Sequence, residues 1–271
     1  MAELVGIATW NFREGSLARR IERFAAMGFD AVSLIGSDGA ALCHGAMPDV
    51  EEAILKHSLA VAIHGGLLSG EGRVDKEALL ADFEQFLKWN ERTGALHTVN
   101  YDAAAVRTDD GGCRYLAEEM RSVLAAMLAR SNGAGFSVGV EDWPRDREQM
   151  AEVSQLAAYA HFGILIDLGH MNMRVRSGGG GEFPAKAAQS YLDAISLPVN
   201  EIHVHNNDGT RDMHAPPMSG SADLVAVADM LRRKGATCIS TIEIVPGWCG
   251  LTEDEGWSAA RESLRFWREV F

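Results

Sequence analysis

Carboxylates and imidazoles stand at the ends of short apolar runs at five places along the chain. Ala60–His64 ends in His64, VGVED ends in Glu141 and Asp142, and ILIDLGH carries Asp167 and then His170. EIHVHNNDG carries His203 and His205, and STIEIV holds Glu243. A carboxylate set into an apolar strand is costly to bury unless it is paired or coordinates a metal. If the strands converge, Glu141, Asp167 and Glu243 repel one another without a cation. Together with His205 they form a ligand set for one divalent metal, oxygen-rich with one imidazole, which accepts Mn, Mg, Co or Zn. Any one of these residues alone is more often a helix cap or a salt-bridge partner; their recurrence on four consecutive strands makes the set. His203 shares the side-chain direction of His205 one layer deeper and reads as its support or as core filling. His44, His57, His97 and His161 have no comparable context.

The elements that must position these residues alternate along the chain. Strand candidates are Leu4–Trp10, Ala31–Ile35, Ala60–His64, Leu96–Tyr101, Ser137–Asp142, Gly163–Leu168, Glu201–Asn206 and Ile239–Val245. They are short, rich in Val and Ile, and bounded by Gly, Asn or Asp, as buried parallel strands are. Amphipathic segments lie between them: Ser16–Met27, Asp49–His57, Val74–Gly94, Cys113–Arg130, Asp146–His161, Ala187–Ile195, Ala222–Gly235 and Glu255–Phe271. In the first, Leu17, Ile21, Phe24 and Ala25 share a face, with Ser16 as N-cap and Gly28 as C-terminal stop.

This alternation predicts a single (β/α)₈ TIM-barrel domain over residues 1–271, with a doubly wound open sheet as the alternative. Two features favour the barrel. ATWNFREG follows the first strand where a nucleotide fold would carry a Gly-rich fingerprint. The ionisable residues also cluster at C-terminal strand ends, where barrel enzymes keep their chemistry.

Composition excludes several classes. A formal net charge of −13 and no dense Lys/Arg run disfavour nucleic acid as a partner. No apolar stretch approaches the ~20 residues of a membrane span, and no amphipathic segment has a basic face. The four cysteines are widely spaced without a CxxC, which reads as free thiols in a reducing compartment. With no leader-like start in MAELVGIATW, the expected location is the cytoplasm.

VGVEDWP, LIDLGHMNM, IHVHNNDGTRDMHAPPMSG and TIEIV, in this order and spacing, resemble the xylose-isomerase-like barrel superfamily over nearly the whole chain. That group includes sugar isomerases, ketose 3-epimerases, inosose dehydratases and the endonuclease IV branch. The resemblance places the shared metal ligands on Glu141, Asp167, His205 and Glu243. By analogy with the epimerases, Glu141 and Glu243 are acid and base on opposite faces of the substrate. His170 and Arg211 stand at the positions of substrate-contacting residues. One position departs from the epimerases: they carry a Glu six residues after the first metal Glu, where this chain has Arg147. Dimers or tetramers are a family expectation.

The endonuclease IV branch binds three zinc ions. Its third site corresponds to His170, Asp212 and His214, so a second metal there is a possibility the resemblance leaves open. Its first site needs a second histidine besides His64, and the strand-four position is Asn100. The set therefore implies proton transfer next to a carbonyl of a sugar, sugar phosphate or polyol, with His64, His170, Arg211, Asp212 and His214 as substrate contacts. The alternatives are dehydration of a keto-polyol, zinc-dependent phosphodiester hydrolysis, and a catalytically silent sugar-binding barrel. The MNMRVRSGGGGEFP segment reads either as an irregular surface loop or as a lid whose Arg174 or Arg176 meets an anionic group. Trp10, Trp143 and Trp248 fall near strand ends, suited to stacking on a sugar or to packing.

Overall fold

In the computed structural model, which describes residues 3–68, 72–102, 104–107, 113–142, 153–176 and 182–271, eight parallel strands close into a barrel. They are β1 (Val5–Ala8), β2 (Ala31–Ile35), β3 (Ala60–Gly65), β4 (Leu96–Tyr101), β7 (Ser137–Glu141), β8 (Phe162–Asp167), β9 (Val199–Val204) and β10 (Ile239–Ile242). Each pairs with its neighbours in chain order, and β1 closes the ring on β10 through Gly6↔Thr241 and Ile7↔Ile242. The open-sheet alternative is thereby excluded. Trp143, Arg147, Gly178–Gly181 and residues 146–152 of the expected helix over 146–161 lie outside the described residues, and its described part holds a 3-10 turn over Gln155–Ala158.

Strand interiors are apolar on both faces because one face meets the surrounding helices and the other fills the barrel. Ile7, Val32, Val61, Val99, Val138, Ile164, Ile202 and Ile242 are all fully buried. Helix α1 (Leu17–Met27) starts on the Ser16 hydroxyl, which accepts from Arg19 N, and stops at Gly28, whose φ of 98° only glycine adopts at no steric cost. The barrel is sealed at its β10/β1 seam by aromatics from both chain ends. Phe12 meets Trp257 with ring centroids 4.4 Å apart, Phe24 meets it at 4.9 Å, and the Arg23 guanidinium lies 3.9 Å above the Trp257 ring. Burying each such ring contributes ~1.5–3 kcal/mol, so the seam that carries Glu243 is well fastened.

Three regions differ from expectation. Cys113–Tyr115 (β6) is not the start of a helix: it pairs antiparallel with Ala105–Arg107 (β5), and the following helix runs only over Ala117–Arg130. The Asp- and Gly-rich segment between β5 and β6 carries the residues that favour a hairpin. An additional helix, Gly36–Cys43, follows β2 before the expected one, which spans Pro48–Lys56. Finally, the first five residues after His170 are helical, because Leu168–Val175 forms a helix capped by the Asp167 side chain. A carboxylate at an N-cap satisfies an orphan backbone N–H, and this local preference prevails over the glycines further along.

Candidate metal centre at the barrel mouth

Glu141 is the last residue of β7, Asp167 the last of β8, and Glu243 directly follows β10; His205 is the first residue after β9. All four are buried, with exposures of 4%, 1%, 6% and 0% in the order Glu141, Asp167, Glu243, His205. Backbone pairing delivers them to one end. Glu243 N donates to Val204 O at 3.1 Å, extending the ladder one residue past the strand, and Asp167 N donates to Asp142 Oδ1 at 3.1 Å.

Asp167 is the hub. Both its oxygens lie 3.0 Å from His205 Nε2, Oδ1 accepts from His170 N at 2.7 Å, and Oδ2 is 3.8 Å from His203 Nδ1. Burial pushes its carboxyl up, but the His170 and His205 rings outweigh that and hold it well below the usual range. Glu141 faces His170 Nδ1 at 2.7 Å and His64 Nε2 at 3.5 Å; there burial wins and the carboxyl is raised. Glu243 faces His203 Nδ1 at 3.0 Å and His214 Nδ1 at 3.6 Å. For Glu243 the order reverses: burial is outweighed by the two rings, and its carboxyl is held at about 2.

The loop after β9 contributes the third wall. Asp212 Oδ2 lies 3.0 Å from His214 Nε2 and 3.4 Å from His170 Nε2, and the His214 ring is stacked on His205. His214 adopts φ 44°, uncommon for a residue with a side chain, and is held there by two backbone bonds. Ala215 exchanges a bridge with Asn206, and Val245 N donates to His214 O at 3.0 Å. Close approach also shapes the site: a Cβ on Gly169 would fall 1.9 Å from His205 Cε1.

The donor set fits a divalent ion. Among the described residues four triads bring their ligand atoms within 4.8 Å of one another: His64–Asp102–Glu141, Glu141–Asp167–His170, Asp167–His203–Glu243 and His205–Asp212–His214. Asp212 Oδ1 is buried with no hydrogen-bond partner, as an oxygen awaiting a cation would be. Glu141 and Glu243 each share a triad with Asp167, which His205 also meets; His170, Asp212 and His214 border them on one side, and His64 stands at Glu141. Arg211 does not join them: its side chain is 70% exposed and its ionic neighbour is Asp208 at 3.9 Å.

One participant was not singled out from the sequence. Asp102 lies 2.9 Å from His64 Nε2, whereas Asn100 points down into the barrel to Glu201. The signal was a carboxylate just past the end of the fourth strand run. His203, read as support or filling, places Nδ1 against Glu243 and near Asp167.

Beside the cluster a cavity of about 710 Å³ opens, lined by Trp10, Arg13, His214, Glu243 and Trp248 among others. Trp10 stacks towards His64 and Trp248 stands edge-on to His214. Arg174 and Arg176 face other parts of the protein. Arg174 lies over Tyr191, and the Arg176 guanidinium donates to Ser221 O at 3.0 Å.

Residues 21–270 match the xylose isomerase-like TIM barrel family. The chain belongs to that family. Among solved structures, this family member is similar to the 3-keto-D-glucoside 4-epimerase of E. coli (TM-score 0.68, 19% identity, 99% of this chain and 100% of that one). It is also similar to the D-psicose 3-epimerase of Clostridium cellulolyticum solved with D-tagatose (0.68, 15%, 98% and 99%). A family barrel from Mycobacterium smegmatis in complex with magnesium is similar as well (0.64, 15%, 97% of each). At these identities the likeness is one of fold. By sequence the chain is 26% identical over 129 residues to an uncharacterised protein of Methanocaldococcus jannaschii, a match covering 45% of this chain and 41% of that relative. No described helix is long and apolar enough to cross a membrane.

Proposed function

We propose that the protein is a cytoplasmic, divalent-metal-dependent isomerase or epimerase of a sugar, sugar phosphate or polyol, acting by proton transfer next to a carbonyl. One observation carries this reading. Two buried glutamates face one cluster from strands separated by β8 and β9, Glu141 against His170 and Glu243 against His203, and these surroundings push the first carboxyl up and the second down. A pair of carboxyls driven apart in this way is an acid and a base. The similar epimerases support the reading by fold.

Glu141, Asp167, His205 and Glu243 would hold the ion, with His203 close enough to join through Nδ1. When bound, the ion supplies positive charge beside an oxygen that becomes negative as a neighbouring C–H loses its proton. Glu243, ionised, accepts that proton from the substrate lying in the cavity it lines. Glu141, on the other side, returns a proton to the same carbon, giving epimerisation; return to the adjacent carbon, with the hydroxyl proton passing to the former carbonyl oxygen, gives aldose–ketose exchange. His64, His170, Asp212 and His214 bind the substrate's hydroxyls, and Trp10 and Trp248 cover its apolar face.

The test is carbon-bound proton exchange. Protein loaded with Mn²⁺ in D₂O and offered a panel of ketoses, their phosphates and keto-polyols should introduce deuterium next to the carbonyl of at least one, read by ¹H NMR and abolished by EDTA. No exchange with any member sinks the proposal.

A second reading, multi-metal hydrolysis of a phosphodiester, draws on a specific feature. His64–Asp102–Glu141 and His205–Asp212–His214 flank the central ligands on either side, so the cluster has donors for more than one ion. The net charge of −13 opposes a nucleic acid substrate. Cleavage of an abasic duplex by zinc-loaded protein would favour this reading over the first.

A further inference from the structure

One carboxylate in the barrel lies below the mouth and has no part in the chemistry above. Glu201 is fully buried on β9, and a charge in such a place is costly unless several donors meet it. They do. Thr241 Oγ1 donates to Oε1 at 2.6 Å and Asn100 Nδ2 donates to Oε2 at 2.7 Å. Asn100 is itself held: its Oδ1 accepts from Asn200 Nδ2 at 2.8 Å, and Thr98 Oγ1 accepts from both amides. Space for this lattice is kept by Gly139 on β7, where a Cβ would fall 2.3 Å from Asn100 Oδ1 and 2.5 Å from Asn200 Nδ2.

The free edge of Glu201 points up. His203 Nε2 stands 3.6 Å from Glu201 Oε1, just beyond hydrogen-bond length, while the opposite ring nitrogen is 3.0 Å from Glu243 Oε2. His203 is thus an imidazole clamped between two carboxylates, one at the barrel's floor and one at its mouth. Asn100 from β4 and Thr241 from β10 fix the lower carboxylate, and the ring lies between it and Glu243. The ring also has Asp167 Oδ2 3.8 Å from Nδ1 and the His64 ring beside it, with centroids 4.9 Å apart.

We propose that Glu201 is a positioning residue: through His203 it sets the place of the Glu243 carboxylate. The role rests on the proposed function only in so far as Glu243 is the base there. It acts through the ring alone, since Glu201 touches neither the cavity nor the other mouth carboxylates. An orienting carboxylate behind a site histidine is worth 10–100-fold in metal affinity or turnover when removed.

The test replaces Glu201 by Gln, which keeps the shape and removes the charge. Three readouts separate positioning from mere stability. In ¹⁵N–¹H correlation spectra of the metal-free protein, the His203 ring nitrogens should leave their wild-type shifts, while those of His161, remote from the site, should stay. The Kd for Mn²⁺ by calorimetry should rise about 10–100-fold. The turnover number should fall by a similar factor with KM changed less than about 3-fold. Should Glu201→Gln fail to fold, Thr241→Val, which removes one donor and leaves the charge, should produce the same changes in smaller measure. Wild-type His203 shifts together with wild-type Mn²⁺ affinity in a folded variant would overturn the proposal. Because the first two readouts need no substrate, a protein without sugar turnover would sink the functional reading and leave this one decided on its own evidence.

Discussion

Asp102 Oδ1, one residue past the end of β4, lies 2.9 Å from His64 Nε2, while Asn100 within that strand points the other way, into the barrel floor. The mouth therefore holds a carboxylate at a position where the sequence suggested a missing ligand. Metal stoichiometry decides what it does. Under the isomerase reading, plasma mass spectrometry should find one Mn²⁺ per chain after dialysis, and Asp102→Asn should leave that number unchanged. Two or three ions per chain, falling by one in Asp102→Asn, would move the protein to the hydrolase reading.

Glu243→Gln should lower turnover by about 10²–10⁴-fold, the usual worth of a positioned general base. The circular dichroism spectrum should be retained, because the amide keeps the side chain's volume at the β10/β1 seam. Retained activity in a folded variant would rule out the base assignment.

Trp248 is 60% exposed at the cavity mouth, edge-on to His214 at a centroid separation of 5.3 Å. An exposed ring contributes little to stability, so its removal should be felt in binding. For Trp248→Ala we expect KM to rise about 2- to 10-fold, corresponding to the ~0.5–1.5 kcal/mol of an aromatic contact, with Tm unchanged. A fall in Tm at constant KM would assign it to packing instead.

One of the two readings of the segment after His170 has Arg174 or Arg176 meeting an anionic substrate group. The Arg176 guanidinium instead donates to Ser221 O, and its Cδ packs so near Gly209 that a Cβ there would lie 2.4 Å away. It fastens the loop that carries Asp212 and His214. Arg176→Ala should therefore lower kcat/KM alike for charged and neutral substrates and cost about 0.5–1.5 kcal/mol in urea unfolding. A selective rise in KM for charged substrates would restore the earlier role.

The metal-free protein should have a bounded pH range of stability. His64 and His214 are each raised from 6.5 to about 9; burial lowers them, but facing carboxylates prevail, Asp102 first for His64 and Glu243 first for His214. A raised histidine lends stability that is complete below its unfolded value of 6.5 and lost as pH climbs through about 9. Glu243, lowered from 4.5 to about 2, lends stability present above 4.5 and lost as pH falls towards 2. Urea midpoints of EDTA-treated protein should thus peak between about 4.5 and 6.5 and decline on both sides. A midpoint still rising from pH 7 to 9 would contradict this.

The architecture was legible early because apolar period and length carry it. β2 and β4 fall on their expected bounds, and the other barrel strands shift by a few residues at their ends. Helix starts and stops were readable where a capping residue acts alone, as at Ser16 and Gly28. They were misread where a local motif competes, as in the β5–β6 hairpin and the Asp167-capped helix. The mouth residues Glu141, Asp167, His205 and Glu243 stood out because carboxylates in apolar runs are expensive, and that expense is visible in one dimension.

Which residue faces which was not visible there. Alternation along a strand says that His203 and His205 point inward, but barrel register decides that the first meets Glu243 and the second Asp167. Likewise Asn100 and Asp102 share one face of β4 and its exit, two positions apart. Only the tilt of the closed barrel sends one to the floor beside Glu201 and the other to His64. Residue types and spacing determined that this chain would gather acids and imidazoles at one end of a barrel. Their pairings, and hence which glutamate is raised and which lowered, depend on distances of a few ångströms across strands, which tertiary packing alone sets.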